Sequence, residues 1–286
     1  MKTIIITGAN SGIGRAAATK LAAEGHRVIL ACRSEEKGSK AVEEIIASTG
    51  NKRVNAMKVD MGSQKSIIEF AEAYSGNFDQ LDVLIHNAAN FDLSMKNPIL
   101  TEDGIETIFA TNHVGPFLLT KLLLGLLKNS APSRVITVAS KGLVMYPGLK
   151  IELDNLNGEI KYSAQHAYYH SKLAQVMFTY DLAKQLAGKG VTANCIRVTN
   201  VAVANEKFAH LPGWQQKLYR MKRKMALTPE QQADTYVYLA TSPAVEGISG
   251  GYWDEKNRRV KSSKYSYDEA AWVQLREATE MLITKL

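Results

Sequence analysis

Six short apolar runs, separated by longer helical segments, constrain the fold of this chain more than any other feature. Residues 2–7 (KTIIIT), 27–31 (RVILA), 53–59, 81–86 (LDVLIH), 134–139 (RVITVA) and 191–198 read as strands. Residues 13–24, 35–48, 64–74, 104–128 and 166–188 carry helical spacing. Strands that are apolar at successive positions are buried on both faces, and strands that alternate with helices run parallel. The expected fold is therefore α/β: a doubly wound parallel sheet with helices on both faces. At 286 residues, with no Pro/Gly/Ser-rich linker and no internal repeat, the chain is expected to form one domain.

A glycine-rich turn falls where the first strand should enter the first helix. Residues 7–14 read TGANSGIG, with Gly8, Gly12 and Gly14 in a G-x-x-x-G-x-G spacing. Missing side chains let the backbone approach a pyrophosphate, and the helix behind them aims its N–H groups at the anion. Glycine also marks ordinary turns, but its position after a first strand points to a Rossmann-type dinucleotide site. At the end of the second strand an acidic residue would bond a ribose 2′-hydroxyl, whereas Arg accommodates a 2′-phosphate. The chain has Arg33 there, within ACRS, and no acid before Glu35. The expected cofactor is NADP(H); a plain surface arginine is the alternative.

A second cluster, Tyr168-Tyr169-His170-Ser171-Lys172, opens the long helix. Residues four apart share a helix face, so Tyr168 and Lys172 can meet while Tyr169 points elsewhere. A free phenol titrates near pH ~10, and a nearby ammonium favours phenolate. Lys172, joined by the positive nicotinamide of an oxidised cofactor, is thus expected to lower the pKa of Tyr168 and fit it for proton transfer. Alone, Y-x-x-x-K is a frequent pattern that marks only a helix face.

Taken together, these features resemble the short-chain dehydrogenase/reductase family over nearly the whole chain. The glycine turn, Asp60, NAA at 87–89, NHVGPFLLT at 112–120, Ser140, Tyr168 and Lys172 occur in the family's order. ACRSEEKG at 31–38, AYYHSKLA at 167–174 and YLATSPAVEGISG at 238–250 are similar to the retinol dehydrogenase-like branch. The resemblance implies catalytic roles for Asn112, Ser140, Tyr168 and Lys172. Asn112 would brace the proton relay, Ser140 would hold the reacting oxygen near Tyr168, and Lys172 would also bond the nicotinamide ribose. The implied cofactor surface is Gly8, Asn10, Ser11, Gly12, Ile13, Gly14, Arg33, Asp60 (at the adenine) and Met61. Asn87, Ala88 and Ala89 would line the groove, with Tyr168, Lys172, Val198 and Val201 completing it. The implied reaction interconverts a carbonyl and an alcohol on a lipophilic or secondary-metabolite substrate. A homodimer or homotetramer is implied as well.

Two positions depart from the family. Residue 86 is His where Asn is usual, and an ordinary strand-end histidine is the expectation. After the sixth strand the branch usually has Pro-Gly, and this chain has Val198-Thr199-Asn200-Val201. The rigid and the permissive residue are both missing from a loop that should cover the nicotinamide. A catalytically weakened sensor or scaffold is the alternative function that this loss suggests. Residues 203–227 lie where the family keeps its substrate lid, with Phe208, Leu211, Trp214, Leu218, Tyr219 and Met221 among basic residues. Residues 251–286 form a C-terminal extension.

Composition narrows the remaining classes. Two cysteines, Cys32 and Cys195, lie in apolar runs, which suits buried thiols in a reducing compartment rather than a disulfide scaffold. No run reaches ~18 uncharged apolar residues, so the expectation is a cytoplasmic protein without a stable membrane anchor. The net charge of +7 gathers at Lys217–Lys224 and Lys256–Lys264, which reads as solvated surface rather than a nucleic-acid site. His166 and His170 have a metal-compatible i, i+4 spacing but no third ligand in a recognisable pattern, so no metal is expected.

Overall fold

The computed structural model describes residues 1–201 and 226–283. Seven parallel strands form one sheet in the order β3-β2-β1-β4-β5-β6-β7. They are β1 (Thr3–Thr7), β2 (Arg27–Cys32), β3 (Val54–Lys58), β4 (Val83–His86), β5 (Ser133–Ser140), β6 (Val191–Val198) and β7 (Gly251–Trp253). Helices α1 (Gly12–Ala23), α2 (Glu35–Thr49), α3 (Gln64–Asn77), α4 (Thr107–Phe109), α5 (Gly115–Asn129), α6 (Ala164–Gln185), α7 (Pro229–Thr241) and α8 (Glu269–Leu282) complete the main elements.

The sheet divides the core in two. Ile5, Ile29, Leu84 and Val135 face one cluster, built with Phe70, Leu118, Leu119, Leu173 and Trp272. Ile4, Ile6, Leu30, Ile85 and Ile136 face the other, with Leu21, Ile45, Tyr236 and Leu239. Successive strand residues point to opposite faces, so an unbroken run such as Ile4-Ile5-Ile6 supplies both. The doubly wound parallel sheet expected from the apolar runs is the observed architecture.

Three differences have local causes. The helix expected over 104–128 begins at Thr107, because Gly104 adopts φ +73° and Leu100 bridges Glu106 antiparallel. Glu106 then caps the helix by accepting from the Phe109 N–H at 2.8 Å. Between α4 and α5 the backbone passes through one π-helical turn, Ala110–Val114. The helix expected over 166–188 is Ala164–Gln185, capped by Ser163 and followed by Gly188 and Gly190 at positive φ. The third difference is β7, three residues long and too short to show a period. No helix among the described residues is long and apolar enough to cross a membrane.

Candidate active site

The strand order reverses between β1 and β4, whose neighbours on the outer sides are β2 and β5. Connections there leave on opposite faces and open a crevice at the carboxyl ends of the strands. The glycine turn follows β1. Gly8 and Gly12 have φ of +66° and +57°, and the Gly8 N–H donates to Ala31 O at 2.7 Å. A Cβ on Gly14 would come within 2.9 Å of Gly8 O and would also strike the Asn87 amide, whereas at Gly12 it would meet open space. Gly14 therefore serves close packing, and Gly12 gives a bare, left-handed backbone facing the crevice.

Ser11 is the N-cap of α1 but makes no side-chain capping bond, and the first turn contains no acid. The first N–H groups of an α-helix have no intrahelical partner and favour an anion. Asn10 and Ile13 flank these groups, half-buried. Asn87 braces the turn from below: its Nδ2 donates to Thr7 O at 2.9 Å, and its Oδ1 accepts from the Tyr236 hydroxyl at 3.1 Å. The N–H groups of Asn87 and Ala88 both donate to Thr7 Oγ1, at 3.0 and 2.9 Å. Ala89 is exposed beyond them.

Arg33 is exposed just after β2 and has neither an ion pair nor a side-chain hydrogen bond among the described residues. Asp60, after β3, accepts from the Gly62 N–H at 2.9 Å. The buried Met61 presses its carbonyl on Gly115, where a side chain would collide. This crevice, with a glycine-rich turn whose Gly12 meets open space and an uncapped helix start, fits the pyrophosphate of a dinucleotide.

Ser140 ends β5, in register with Val198 of β6. Its Oγ accepts from the Gly142 N–H at 3.1 Å and lies within hydrogen-bonding reach of the Tyr168 phenol. Tyr168 and Lys172 share a face of α6, and Lys172 Nζ stands 5.6 Å from the centre of the Tyr168 ring. Here the direction of the Lys172 ammonium departs from the expectation. The ammonium is aimed at the Val138 carbonyl, to which it donates at 2.8 Å, and not at the phenol oxygen. Burial, with a smaller push from Tyr169, drives the Tyr168 pKa up rather than down; the Ser140 bond opposes it. Desolvation penalises phenolate more than the groups around it compensate. The buried ammonium is itself pushed down to about 8.

Asn112 sits in the π-helical turn and is buried. Its Oδ1 accepts from Asn90 N at 2.7 Å, while its Nδ2 donates to Asn90 O and to Ser171 Oγ, both at 3.0 Å. Ser171 Oγ in turn donates to Tyr168 O at 2.7 Å, and Gln175 Nε2 donates to the Asn112 carbonyl. Four contributors, Asn90, Ser171, Gln175 and Tyr236, are not among the sequence-predicted site residues. Ser171 lies inside the Tyr168–Lys172 cluster, three residues after Tyr168, where helix spacing puts it near the same face. Tyr236 gives no such signal, since its partner Asn87 is 149 residues away.

The fold and the crevice are matched by known proteins. A family model described as short chain dehydrogenase covers residues 2–210. The chain belongs to the short-chain dehydrogenase/reductase family. Members act as oxidoreductases on CH–OH or C=O groups with nicotinamide cofactors, and this chain is such an enzyme. Retinol dehydrogenase 11 of Mus musculus is 39% identical over 285 residues, covering 100% of this chain and 84% of the relative. Retinol dehydrogenase 14 of Homo sapiens is 36% identical, covering 99% and 86%. These place it in the retinol dehydrogenase-like branch. Among solved structures, an uncharacterized protein from Mycobacterium Paratuberculosis superposes with TM-score 0.73 and 28% identity, covering 99% of this chain and 93% of that one. A short chain dehydrogenase from Shigella flexneri, complexed with NADP, has TM-score 0.68 at 23% identity and covers 89% and 97%; it shares the fold.

The departures from the family pattern have a definite setting in this enzyme. His86 is buried and its Nε2 pairs with Thr120 Oγ1 at 2.7 Å, so it packs the end of β4 against α5. After β6, Thr199 N donates to Gln232 Oε1 at 3.2 Å and Val201 bridges Leu227. The loop without Pro-Gly is thereby tied to the start of α7. The expected lid falls, from 203 to 225, outside the described residues.

Proposed function

We propose that the protein is an NADP(H)-dependent reductase or dehydrogenase that interconverts lipophilic carbonyls and alcohols, with Tyr168 moving the proton. The observation that carries this reading is the convergence of the Tyr168 phenol and the Ser140 hydroxyl at the mouth of the dinucleotide crevice. Bound NADP(H) supplies or accepts the hydride. In reduction, the two hydroxyls would donate hydrogen bonds to the substrate oxygen, and Tyr168 would pass its proton to that oxygen as negative charge develops. A phenol held above its ordinary range by burial is fully protonated near neutrality, which suits donation. Lys172, buried and tied to Val138 O, keeps positive charge beside the ring. Asn112 holds the segments on either side.

The preference for NADP(H) rests on the free guanidinium of Arg33 at the end of β2, suited to a 2′-phosphate. The NADP complex of the Shigella flexneri neighbour supports it. The lipophilic substrate is supported by the names of the curated relatives and by exposed Phe91, Val144 and Met145 beside the site.

NADPH consumption with a panel of aldehydes and ketones tests the reading. Wild type should turn over the long-chain members, and Tyr168→Phe should lose ~10²- to 10⁴-fold in kcat, the usual worth of a positioned proton donor. Undiminished turnover in Tyr168→Phe would overturn it.

A further inference from the structure

Tyr168 is screened on one side by a residue that takes no part in the proton transfer itself. The Phe91 ring meets the Tyr168 ring edge-on, with centroids 4.4 Å apart and planes at 63°. Phe91 lies on the loop after β4 and is itself 56% exposed, so its other face meets solvent. The residue before it, Asn90, has both its N–H and its carbonyl gripped by the buried Asn112 side chain. The clamp delivers the ring to the phenol although the loop is a surface loop.

We propose that Phe91 is a positioning residue for Tyr168: set by the Asn112–Asn90 clamp, its ring shields the phenol from water and so determines the pH range over which Tyr168 can deliver a proton. The proposal rests on the reading of Tyr168 as the proton donor.

The groups facing Tyr168 separate the shield from its alternatives. Lys172 faces it from the same helix and favours phenolate. Tyr169, also on α6, disfavours a second phenolate, and Ser140 at the end of β5 stands within hydrogen-bonding reach of the hydroxyl. The buried Tyr236 of α7 lies close enough that a phenolate at Tyr168 disfavours one at Tyr236. Phe91 alone among these brings neither charge nor hydrogen bond. Its contribution is exclusion of water, which favours the neutral phenol, together with an edge-to-face contact. Removing it changes solvation and leaves the polar partners in place.

The test compares wild type, Phe91→Ala, Phe91→Leu and Tyr168→Phe. Reduction requires the protonated phenol, so activity falls as pH rises through the titration of Tyr168. In Phe91→Ala the basic limb of the kcat profile should move down by about half to one pH unit, a three- to tenfold rise in phenolate at a given pH. Phe91→Leu, which restores apolar bulk, should move it back. Tyrosinate absorbance, titrated against Tyr168→Phe as the blank, should shift in parallel without any substrate present. Superposable titrations of wild type and Phe91→Ala would overturn the proposal, as would an equal shift in Phe91→Leu. Full activity in Tyr168→Phe would instead remove the proton-donor reading, and the absorbance titration would still report whether Phe91 shields the phenol. Phe91 lies on an exposed loop, so both Phe91 variants should melt with wild type.

Discussion

Asn112 binds the main chain of Asn90 in both directions, accepting from its N–H at 2.7 Å and donating to its carbonyl at 3.0 Å. The same amide donates to Ser171, whose hydroxyl bonds the Tyr168 carbonyl. One buried side chain thus ties the loop after β4 to the first turns of α6. Replacing it by Ala leaves these groups without partners, and a buried polar group without one costs about 1–3 kcal/mol. Asn112→Ala should lose roughly 2–4 kcal/mol in denaturant titration and at least about tenfold in kcat. An Asn112→Ala variant with wild-type stability and kcat would show that the clamp is incidental.

Arg33 is free to choose its ligand. It forms no ion pair among the described residues, so binding a 2′-phosphate need not break one. Charge-assisted hydrogen bonds of this kind contribute about 1.5–3 kcal/mol. Arg33→Asp should therefore weaken NADPH binding by roughly 10- to 100-fold and leave NADH binding equal or improved. Calorimetric titration with both nucleotides reads this directly, and unchanged discrimination would exclude Arg33 as the selector.

Much of this arrangement is legible in the sequence, and the rest is not for definite reasons. Ile4-Ile5-Ile6 announces a doubly buried strand because no exposed strand tolerates three such neighbours. The glycines at 8, 12 and 14 mark the turn because backbone approach and positive φ leave few other choices. The spacing of Tyr168 and Lys172 places them on one face but does not say where the flexible ammonium points, and it points to Val138. Periodic leucines reveal the body of α5; Gly104 and the cap at Glu106 decide where the helix before it starts. Phe91 on Tyr168 and Tyr236 on Asn87 are contacts between elements with no local pattern.

Lys172 should exact a stability cost that pH can expose. Its pKa is about 8 in the folded protein, against an ordinary 10.5. Between these values the unfolded chain binds more protons, so this group makes stability rise with pH across that window. The deficit is fully present below about 8 and relieved as pH approaches 10.5. Lys172→Met removes it, at the expense of leaving Val138 O without its donor. The variant should be more stable than wild type by about 2 kcal/mol at neutral pH, with the gap closing toward pH ~10. Parallel stability curves for the two proteins from pH 7 to pH 10 would contradict the account.

Two buried histidines share one hydrogen-bonding arrangement that should make the fold acid-sensitive. Thr120 Oγ1 donates to Pro116 O at 2.8 Å, so it must accept from His86 Nε2 at 2.7 Å. Thr279 Oγ1 donates to Leu275 O at 2.7 Å and accepts from His113 Nε2 at 2.9 Å. A hydroxyl has one proton, so both rings carry theirs on Nε2 and leave Nδ1 bare. Each Nδ1 is buried without a partner among the described residues, and a proton added there would find no acceptor among them. Burial accordingly pushes both down to about 3, from an ordinary 6.5. The folded pKa lies below the unfolded one, so the stabilisation is complete above 6.5 and is lost as pH falls toward 3. Each histidine should add a slope of about 1.4 kcal/mol per pH unit within that window. His113→Leu fills the same cage of Phe109, Phe117 and Phe178 and leaves the Thr279 bond to Leu275 intact. Its stability, measured by denaturant titration from pH 6.5 to pH 4, should fall less steeply than that of wild type by the share of one proton. Identical slopes would mean that His113 is not the group taking up the proton.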